Sequence, residues 1–418
     1  MMKIMELFAG VGGFRLGLES TEGFNVCWGN QWEPSKKSQD AFNCYANQFK
    51  TNGTHSNEDI ATVDEKMFTN SGINLIVGGF PCQDYSVARS LSGERGLEGK
   101  KGVLFWEIIR LVTEIRPKYI LLENVDRLLK SPSKQRGRDF SIMLASLRDL
   151  NYSVEWRVIN AAEYGQAQRR RRVFIFAISN DTAYIKENYA FDDTELLHEK
   201  GFFAKPFPIK KEYSEKHPPR QFILPQSILE ISNEFSQKYL NAGIMRNGVV
   251  FTEEVLPELE TPTPLKDILQ KNVDEKYYLG ETAIEKFKYL KGPKKIERTS
   301  SSGHKYVFSE GGMSFPEPLD KPGRTMLTSE GTINRSSHVV EDPETNRLRI
   351  LTPVECERLN GFPDNWTEGM ADRMRYFCMG NALVVGLIER MGDRIKEIEE
   401  IELDVLKEES QQLSFFSY

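Results

Sequence analysis

The chain has 418 residues and a formal net charge of −6 at pH 7, a length that predicts two domains rather than one ordinary core. Its five cysteines show no CxxC spacing, which argues against a disulfide scaffold or zinc knuckle and fits a reducing cytosol. Because no 18 apolar residues run together and no apolar leader follows Met1, we expect a soluble, intracellular protein without a membrane partner.

The first 180 residues alternate short apolar runs with amphipathic helical patterns. The strand-like runs are 4–8, 24–28, 75–77, 119–122, 154–159 and 173–178. The helix-like stretches between them are 14–19, 103–115 and 140–150. This alternation is typical of βαβ units and predicts an α/β fold with a mainly parallel sheet.

Prolines punctuate a polar, weakly periodic region from about residue 180 to 345, which predicts a smaller domain of loops and short strands. A long amphipathic helix is predicted over about 382–409.

Positive charge is local: residues 200–335 carry 21 Lys and Arg against 18 Asp and Glu, whereas residues 389–409 carry 4 Lys and Arg against 9 Asp and Glu. The acidic total therefore does not exclude a phosphate-bearing partner.

A glycine-rich turn over residues 8–13 follows the first predicted strand and precedes a helix. Glycines there allow backbone N–H groups to approach a ligand, but many nucleotide folds and plain tight turns share the pattern. The second strand ends at Gln31 and Trp32, where such folds hold a ribose and where an indole could stack on adenine. Asp59 and Ile60 lie where a third loop would reach the same base.

Three further segments carry reactive side chains. Cys82 follows a buried strand and a Gly-Gly turn, which exposes it at a sheet edge, although most lone intracellular cysteines are small buried hydrophobes. Glu123 ends an apolar strand and is placed for acid–base chemistry, unless it is simply a surface glutamate. Arginines 169–172 lead into a strand, and alternation sends Arg170 and Arg172 to one side.

Together these segments resemble the DNA cytosine carbon-5 methyltransferases, whose ordered signatures are FxGxG, PCQ, ENV, QxRxR, RxLTPxE and a late GN[SA]. The matching segments, in the same order, are 8–12, 81–83, 123–125, 168–172, 349–355 and 380–382. The resemblance implies a Rossmann-like, class I S-adenosylmethionine-dependent methyltransferase fold with a smaller, irregular target recognition domain. Its implied boundaries are 1–184 for the catalytic and cofactor domain, 185–346 for target recognition, 347–410 for the return to the catalytic domain, and 411–418 for a flexible tail.

By resemblance, Cys82 attacks carbon 6 of a cytosine flipped out of duplex DNA, and Glu123 protonates nitrogen 3. Arg170 and Arg172 hold the 2-carbonyl oxygen, the DNA phosphate or both. The implied S-adenosylmethionine site comprises Phe8, Gly10, Gly12, Gly13, Gln31, Trp32, Asp59, Ile60, Pro81, Asn381 and Ala382. The implied DNA contacts are Gln83, Ser86, Arg324, Thr325 and Arg335. No metal ligand is implied.

Three positions depart from the family pattern. Gln31 replaces a ribose-binding glutamate and can hydrogen-bond a hydroxyl only without charge assistance. Lys101 replaces a common arginine, and Ala167 replaces the usual proline. None of them is at the reaction centre.

The family also implies a setting for the protein: a monomer in the bacterial cytoplasm, associated with the nucleoid. A restriction endonuclease with the same recognition sequence is the implied partner. Gln412–Phe416 also resembles the QL[SD]LF peptide by which bacterial replication proteins dock on the sliding clamp, with Phe415 in place of leucine. The alternative, which we favour, is that these apolar residues fold back onto the body.

Three other functions compete with this interpretation. An RNA cytosine methyltransferase carries the same motifs, but the long recognition region favours duplex DNA. A non-catalytic DNA-binding regulator should have lost Cys82, Glu123 or an arginine of the set. A nicotinamide oxidoreductase would need GxGxxG after the first strand and leaves the PCQ loop unexplained.

Overall fold

A computed structural model describes residues 1–34, 36–80, 104–188, 190–211, 217–299 and 303–415. The chain divides into two compact units. The first, here called the sheet unit, comprises residues 1–163, 171–259 and 385–418. The second, the small unit, comprises residues 164–170 and 260–384.

Fourteen strands are formed by the described residues. They are β1 Met2–Leu7, β2 Phe24–Asn30, β3 Thr54–Ser56, β4 Ile73–Gly79, β5 Tyr119–Val125, β6 Tyr152–Asn160, β7 Arg171–Ser179, β8 Arg220–Ile223, β9 Ala242–Arg246, β10 Val249–Glu253, β11 Lys294–Thr299, β12 Lys305–Glu310, β13 Val339–Glu341 and β14 Leu348–Ile350. All six runs predicted as strands overlap β1, β2 or β4–β7, because each is apolar enough to be buried in a central sheet.

Eleven α-helices are formed by the same residues. They are α1 Gly13–Glu19, α2 Asp40–Gln48, α3 Leu104–Ile115, α4 Arg138–Asp149, α5 Ala183–Asn188, α6 Asp193–Glu195, α7 Ile228–Asn233, α8 Glu281–Lys291, α9 Pro353–Leu359, α10 Asp372–Asn381 and α11 Val385–Phe415. A π-helical turn, Leu196–Lys200, follows α6 directly.

The sheet unit contains one ten-stranded sheet in the order β3-β2-β1-β4-β5-β7-β6-β9-β10-β8. The strands from β3 to β5 are parallel, whereas every pairing from β5–β7 onward is antiparallel. The α/β fold class is confirmed, and the sheet is mixed rather than mainly parallel. One reason is the β9–β10 hairpin, whose two-residue turn at Asn247 and Gly248 has positive φ angles of 50° and 83°.

The core of the sheet unit lies around the central strands β4 and β5, whose apolar side chains are almost fully buried. Helices α3 and α4 contribute Phe105 and Phe140 to this core. Helix α1 packs on α11 so closely that a Cβ at Gly17 would lie 2.6 Å from Ile388 Cβ. The C-terminal helix is therefore an integral part of the sheet unit.

The small unit depends on buried ion pairs as well as apolar packing. Arg349, which has no exposed side-chain surface, pairs with Asp342 at 2.7 Å and with Glu355 at 2.8 Å. Glu355 also completes a capping box with Thr352 at the start of α9. Such pairs favour one arrangement, because losing either partner leaves a buried charge unpaired.

The compact units do not follow the predicted domain boundaries. Strands β8–β10 fall within 185–346 but belong to the large sheet, because β9 hydrogen-bonds to β6. The C-terminal helix extends to Phe415, beyond residue 411, where the flexible tail was predicted to begin. The functional assignment of 185–346 to target recognition stays a prediction.

No helix in the described part of the chain is both long enough and apolar enough to span a bilayer. Among those same residues, no three His, Cys, Asp or Glu side chains are grouped so as to hold a metal ion.

Candidate active site

The glycine-rich turn connects β1 to α1 through three residues in the left-handed region: Phe8 at φ 55°, Gly10 at 57° and Gly12 at 89°. A Cβ at Gly12 would lie 2.4 Å from the Phe49 ring, so only glycine fits there. A Cβ at Gly10 would meet no atom within 4 Å. The backbone at Gly10 therefore faces open space, where a ligand can approach closely.

The loops after β1, β2 and β3 meet at one edge of the parallel sheet. The Gly10 N–H donates to Gln31 Oε1 at 2.8 Å, which connects the glycine-rich turn to the end of β2. Trp32, the next residue, keeps 38% of its surface exposed. The Asn30 side chain donates to the Glu58 carbonyl at 3.0 Å, which connects β2 to the loop bearing Asp59.

The remaining members of the predicted cofactor set have different positions. Gly13 begins α1 and is buried. Asp59 caps a short 3₁₀ turn by accepting from the Ala61 N–H at 3.1 Å, and Ile60 is buried beside it. Asn381 and Ala382 belong to the small unit, at the end of α10. Pro81 lies outside the described residues.

Glu6 is a buried carboxyl group beneath the turn, and it is not among the predicted site residues. Its Oε1 accepts the Arg15 backbone N–H in the first turn of α1 at 3.3 Å. Burial raises the pKa of Glu6 to about 8, an effect that hydrogen bonding with Tyr45 partly offsets. The folded protein therefore keeps this carboxyl group largely protonated near neutral pH. An acidic residue within a mostly apolar strand was the available signal.

Glu123 and Arg172 form an ion pair across β5 and β7. Glu123 Oε1 lies 2.8 Å from Arg172 Nε, and both side chains are more than four-fifths buried. A Cβ at Gly79, the residue opposite Glu123 on β4, would lie 3.3 Å from Glu123 Oε2. Glycine at position 79 therefore leaves the carboxyl group room at the end of β4.

Asn124 connects this strand end to the segment that carries the candidate nucleophile. Its buried side chain donates to the Phe80 carbonyl at 2.8 Å. Its own Oδ1 accepts the Val125 N–H at 2.8 Å, which fixes the orientation of the amide. Phe80 precedes Cys82 by two residues; Cys82, Gln83 and Ser86 lie outside the described residues.

Arg170 lies in the small unit and precedes β7, so strand alternation does not place it beside Arg172. Its buried guanidinium donates to the carbonyls of Met326 and Gly380, each at 3.1 Å. Gln168 reinforces this arrangement by accepting the Met326 N–H at 2.9 Å. The structure therefore shows Arg170 holding two backbone segments of the small unit together.

Three residues predicted to contact DNA have internal partners in the small unit. Arg324 makes a two-pronged ion pair with buried Glu317, at distances from 2.6 to 3.1 Å. Thr325 donates its hydroxyl to the Arg169 carbonyl at 2.5 Å. Arg335 donates to the Gly292 carbonyl at 3.2 Å and also binds the Gly311 carbonyl. Their DNA contacts stay predictions.

Comparison with known proteins identifies the family. The family model described as C-5 cytosine-specific DNA methylase matches residues 2–397. Type II methyltransferase M.Sau3AI of Staphylococcus aureus is 56% identical over 405 residues, covering 96% of this chain and 97% of its own. Type II methyltransferase M.HhaI of Haemophilus parahaemolyticus is 26% identical, covering 93% and 92%.

Solved structures agree at the level of the fold. The S. pombe Dnmt2 methyltransferase structure has a TM-score of 0.57 at 15% identity, covering 96% of this chain and 99% of its own. A Spodoptera frugiperda DNMT2 mutant has a TM-score of 0.58 at 14% identity, covering 95% and 99%. With a family model matching nearly the whole chain and a relative sharing more than half of its residues, the chain belongs to the C-5 cytosine-specific DNA methylase family and is a DNA cytosine-5-methyltransferase.

Proposed function

We propose that the enzyme methylates a cytosine flipped out of a specific duplex sequence, through a transient bond between Cys82 and carbon 6 of the base. The observation that carries this proposal is the Asn124–Phe80 hydrogen bond of 2.8 Å. It joins the strand end that presents Glu123 to the start of the Cys82 segment. Adjacent strand ends would thus supply both the nucleophile and the acid. The nucleophile can attack one face of the cytosine ring while the acid protonates the ring at its edge.

The proposed reaction begins when the Cys82 thiolate forms a bond to carbon 6. Electrons of the 5,6 double bond move towards nitrogen 3, which takes a proton from Glu123, and carbon 5 gains enamine character. Carbon 5 would then bond to the methyl group as the bond between that group and the sulfonium sulfur breaks. Loss of the carbon 5 proton to water, return of the nitrogen 3 proton to Glu123 and departure of Cys82 restore the aromatic ring and regenerate both the acid and the thiolate.

Glu123 must hold a proton when the base arrives, whereas in the free protein its carboxyl group is paired with Arg172. We therefore assign Arg172 a second position, on the 2-carbonyl oxygen of the flipped base, which would release Glu123 for protonation. Arg170 is assigned a positioning role, because its guanidinium binds two backbone carbonyls. Its assignment to the base or phosphate remains part of the proposal.

The cofactor assigned to the glycine-rich turn is S-adenosylmethionine, which supplies the methyl group from a sulfonium centre when bound. The open backbone at Gly10 allows close approach, and the half-exposed Trp32 indole offers a stacking surface for adenine. Gln31 would bind a ribose hydroxyl through its amide.

Partners beyond DNA belong to the same proposal. A restriction endonuclease with the same specificity is supported by the type II methyltransferase descriptions of both relatives. Clamp binding through Gln412–Phe416 rests on the sequence alone, since Phe416 lies outside the described residues. Titration of a peptide of residues 409–418 against the clamp tests this interaction. Absence of binding at a peptide concentration of ~100 μM would reject a dissociation constant near ~1 μM. The monomeric state and nucleoid location stay predictions.

Replacing Cys82 by alanine tests the covalent step. The variant should lose methyl transfer while it keeps duplex binding, because binding rests on phosphates and base edges. In DNA containing 5-fluorocytosine, the wild type should form a denaturation-resistant adduct, since fluorine cannot leave as a proton. Cys27→Ala, which changes a half-buried cysteine on β2, is the matched control and should form the adduct. An adduct with Cys82→Ala would refute the assignment.

A further inference from the structure

Strands β11 and β12 form a two-stranded antiparallel ribbon that pairs with no other strand among the described residues. An isolated two-stranded sheet is marginally stable in water. This ribbon nevertheless exposes apolar side chains, with 59% of Val307 and 43% of Tyr306 accessible. Exposed apolar side chains on such a ribbon are compatible with a binding surface.

The two faces of the ribbon differ. Cross-strand register places Lys294, Ile296 and Arg298 on one face, opposite Glu310, Phe308 and Tyr306. This face, here called the anchored face, contacts the rest of the small unit at one end, where Lys294 lies 4.5 Å from the Tyr289 ring centroid and Glu310 pairs with Arg335. Arg298, 3.9 Å from the Phe308 centroid, links the two strands to each other.

The other face, here called the open face, has all six of its side chains exposed. It comprises Lys295, Glu297, Thr299, Lys305, Val307 and Ser309. The anchored face can hold the ribbon in place while the open face remains accessible.

Charge distinguishes this part of the chain from the rest. Residues 286–305 carry seven Lys and Arg, of which Lys291 is buried, and one acid, Glu297, in a protein whose net charge is −6. Helix α8 contributes the exposed Lys286 and Lys288, and the ribbon contributes Lys295 and Lys305 on its open face. A local basic surface on an acidic protein favours a polyanion such as duplex DNA.

We infer that the open face of the ribbon lies in the major groove of the substrate duplex, an inference that rests on the proposed function. A two-stranded ribbon fits the major groove, which is about 12 Å wide. Lys305 lies opposite Thr299, which is four residues from Lys295 on the same strand. The two lysines are therefore separated by about 13 Å along the ribbon, at the usual rise of a strand. The two lysines can therefore reach phosphates on both sides of the groove.

The pair Glu297 and Val307 lies midway between the two lysines and faces the base edges. Glu297 forms no ion pair with any residue that the structure describes, and a carboxylate near phosphates is unfavourable unless it accepts from a base. The cytosine amino group is the donor that a carboxylate recognises in the major groove, and an apolar side chain such as valine fits the thymine methyl group. The lysines thus provide affinity, and the central pair provides sequence preference.

The test compares Lys295→Gln/Lys305→Gln with Lys66→Gln/Lys210→Gln, which removes two exposed lysines of the sheet unit. With unmethylated plasmid DNA, the ribbon variant should raise KM at least about fivefold and leave kcat unchanged. The slope of log KM against log salt should fall by about two, since each phosphate contact contributes about 0.9. The control should match the wild type on every measure, and equal melting temperatures exclude misfolding.

The variant Glu297→Gln distinguishes recognition of a base from electrostatic attraction to the DNA phosphates. Bisulfite sequencing of methylated plasmid should show that one position of the recognition sequence tolerates an additional base, while the salt slope stays unchanged. The inference fails if the lysine variant behaves as its control and Glu297→Gln keeps the wild-type sequence preference. The proposed function fails instead if the wild type leaves duplex DNA unmethylated, so the two failures are distinguishable.

Discussion

Asn124 holds the Phe80 carbonyl at 2.8 Å, within the buried end of the parallel strands. Replacing Asn124 by alanine should leave this carbonyl without its partner and reduce stability by about 1–3 kcal/mol. It should also reduce kcat, because the segment that follows Phe80 carries Cys82. Single-turnover methyl transfer and urea unfolding measure the two effects. Asn180→Ala removes side-chain hydrogen bonds beyond the opposite end of β7 and should affect stability without a matching loss of kcat.

Glu123→Gln should reduce the rate of methyl transfer by at least about 100-fold, because a glutamine cannot donate a proton to nitrogen 3. Duplex binding should change little. Glu107→Gln, which removes a carboxylate paired with Arg110 on α3, is the control and should keep the rate. Wild-type single-turnover rates in Glu123→Gln would reject the acid assignment.

Arg172→Lys should retain charge but lose the geometry of the Nε contact to Glu123. We expect an intermediate loss of kcat, between that of Glu123→Gln and the wild type, with an altered pH profile of the chemical step. Arg171→Lys changes the preceding, exposed arginine, whose partner is Asp126, and should leave the profile unchanged. Identical pH profiles for both variants would contradict a role of Arg172 in setting the protonation of Glu123.

Stability should fall as pH rises between about 5 and 8, in part because of Glu6. Burial raises its pKa from the ordinary 4.5 to about 8, so the folded protein keeps a proton that the unfolded chain releases. The free energy of unfolding therefore decreases with pH, by up to ~1.4 kcal/mol per unit for one proton. Glu6→Gln should show a shallower decrease in chemical denaturation, whereas Glu22→Gln, at an exposed position, should not. Parallel slopes for Glu6→Gln and the wild type would contradict this origin.

Sequence specificity should move with the small unit. A chimera that places residues 164–170 and 260–384 in a relative should methylate the sequence preferred by this enzyme, as bisulfite sequencing would show. A second chimera with residues 185–259 alone should keep the host's preference, because β8–β10 belong to the large sheet. An active first chimera that keeps the host's specificity would place target recognition elsewhere.

The central strands could be predicted because their burial on both faces imposes continuous apolar runs such as Leu75–Val77. The β9–β10 hairpin was missed although Asn247-Gly248, flanked by apolar residues, is a strong turn signal. Its position inside a proline-punctuated region led us to predict loops and short strands of a separate small domain there, whereas β9 pairs with β6 of the large sheet.

The site was predictable where its residues occur in local motifs, and less so where partners are distant. The DNA contacts of Arg324 and Arg335 were predicted from the resemblance to the methyltransferase family. Their partners, Glu317 and the Gly311 carbonyl, depend on a tertiary arrangement that no local pattern encodes. Glu6 was missed although an acidic residue in a mostly apolar strand is a local signal; its partner Arg15 lies in the following helix.

Residues 164–170 form part of the small unit although the chain on both sides of them builds the large sheet. Through Gln168 and Arg170, this seven-residue segment is bonded to Met326 and Gly380. Exchange of the small unit between relatives by recombination thus involves two separate stretches of the gene. A crossover that brings in only residues 260–384 would pair a foreign unit with the resident 164–170 segment. If family members with different specificities all retain Gln168 and Arg170, these two residues would form the same hydrogen bonds with each incoming unit. The exchanged proteins would then keep their fold.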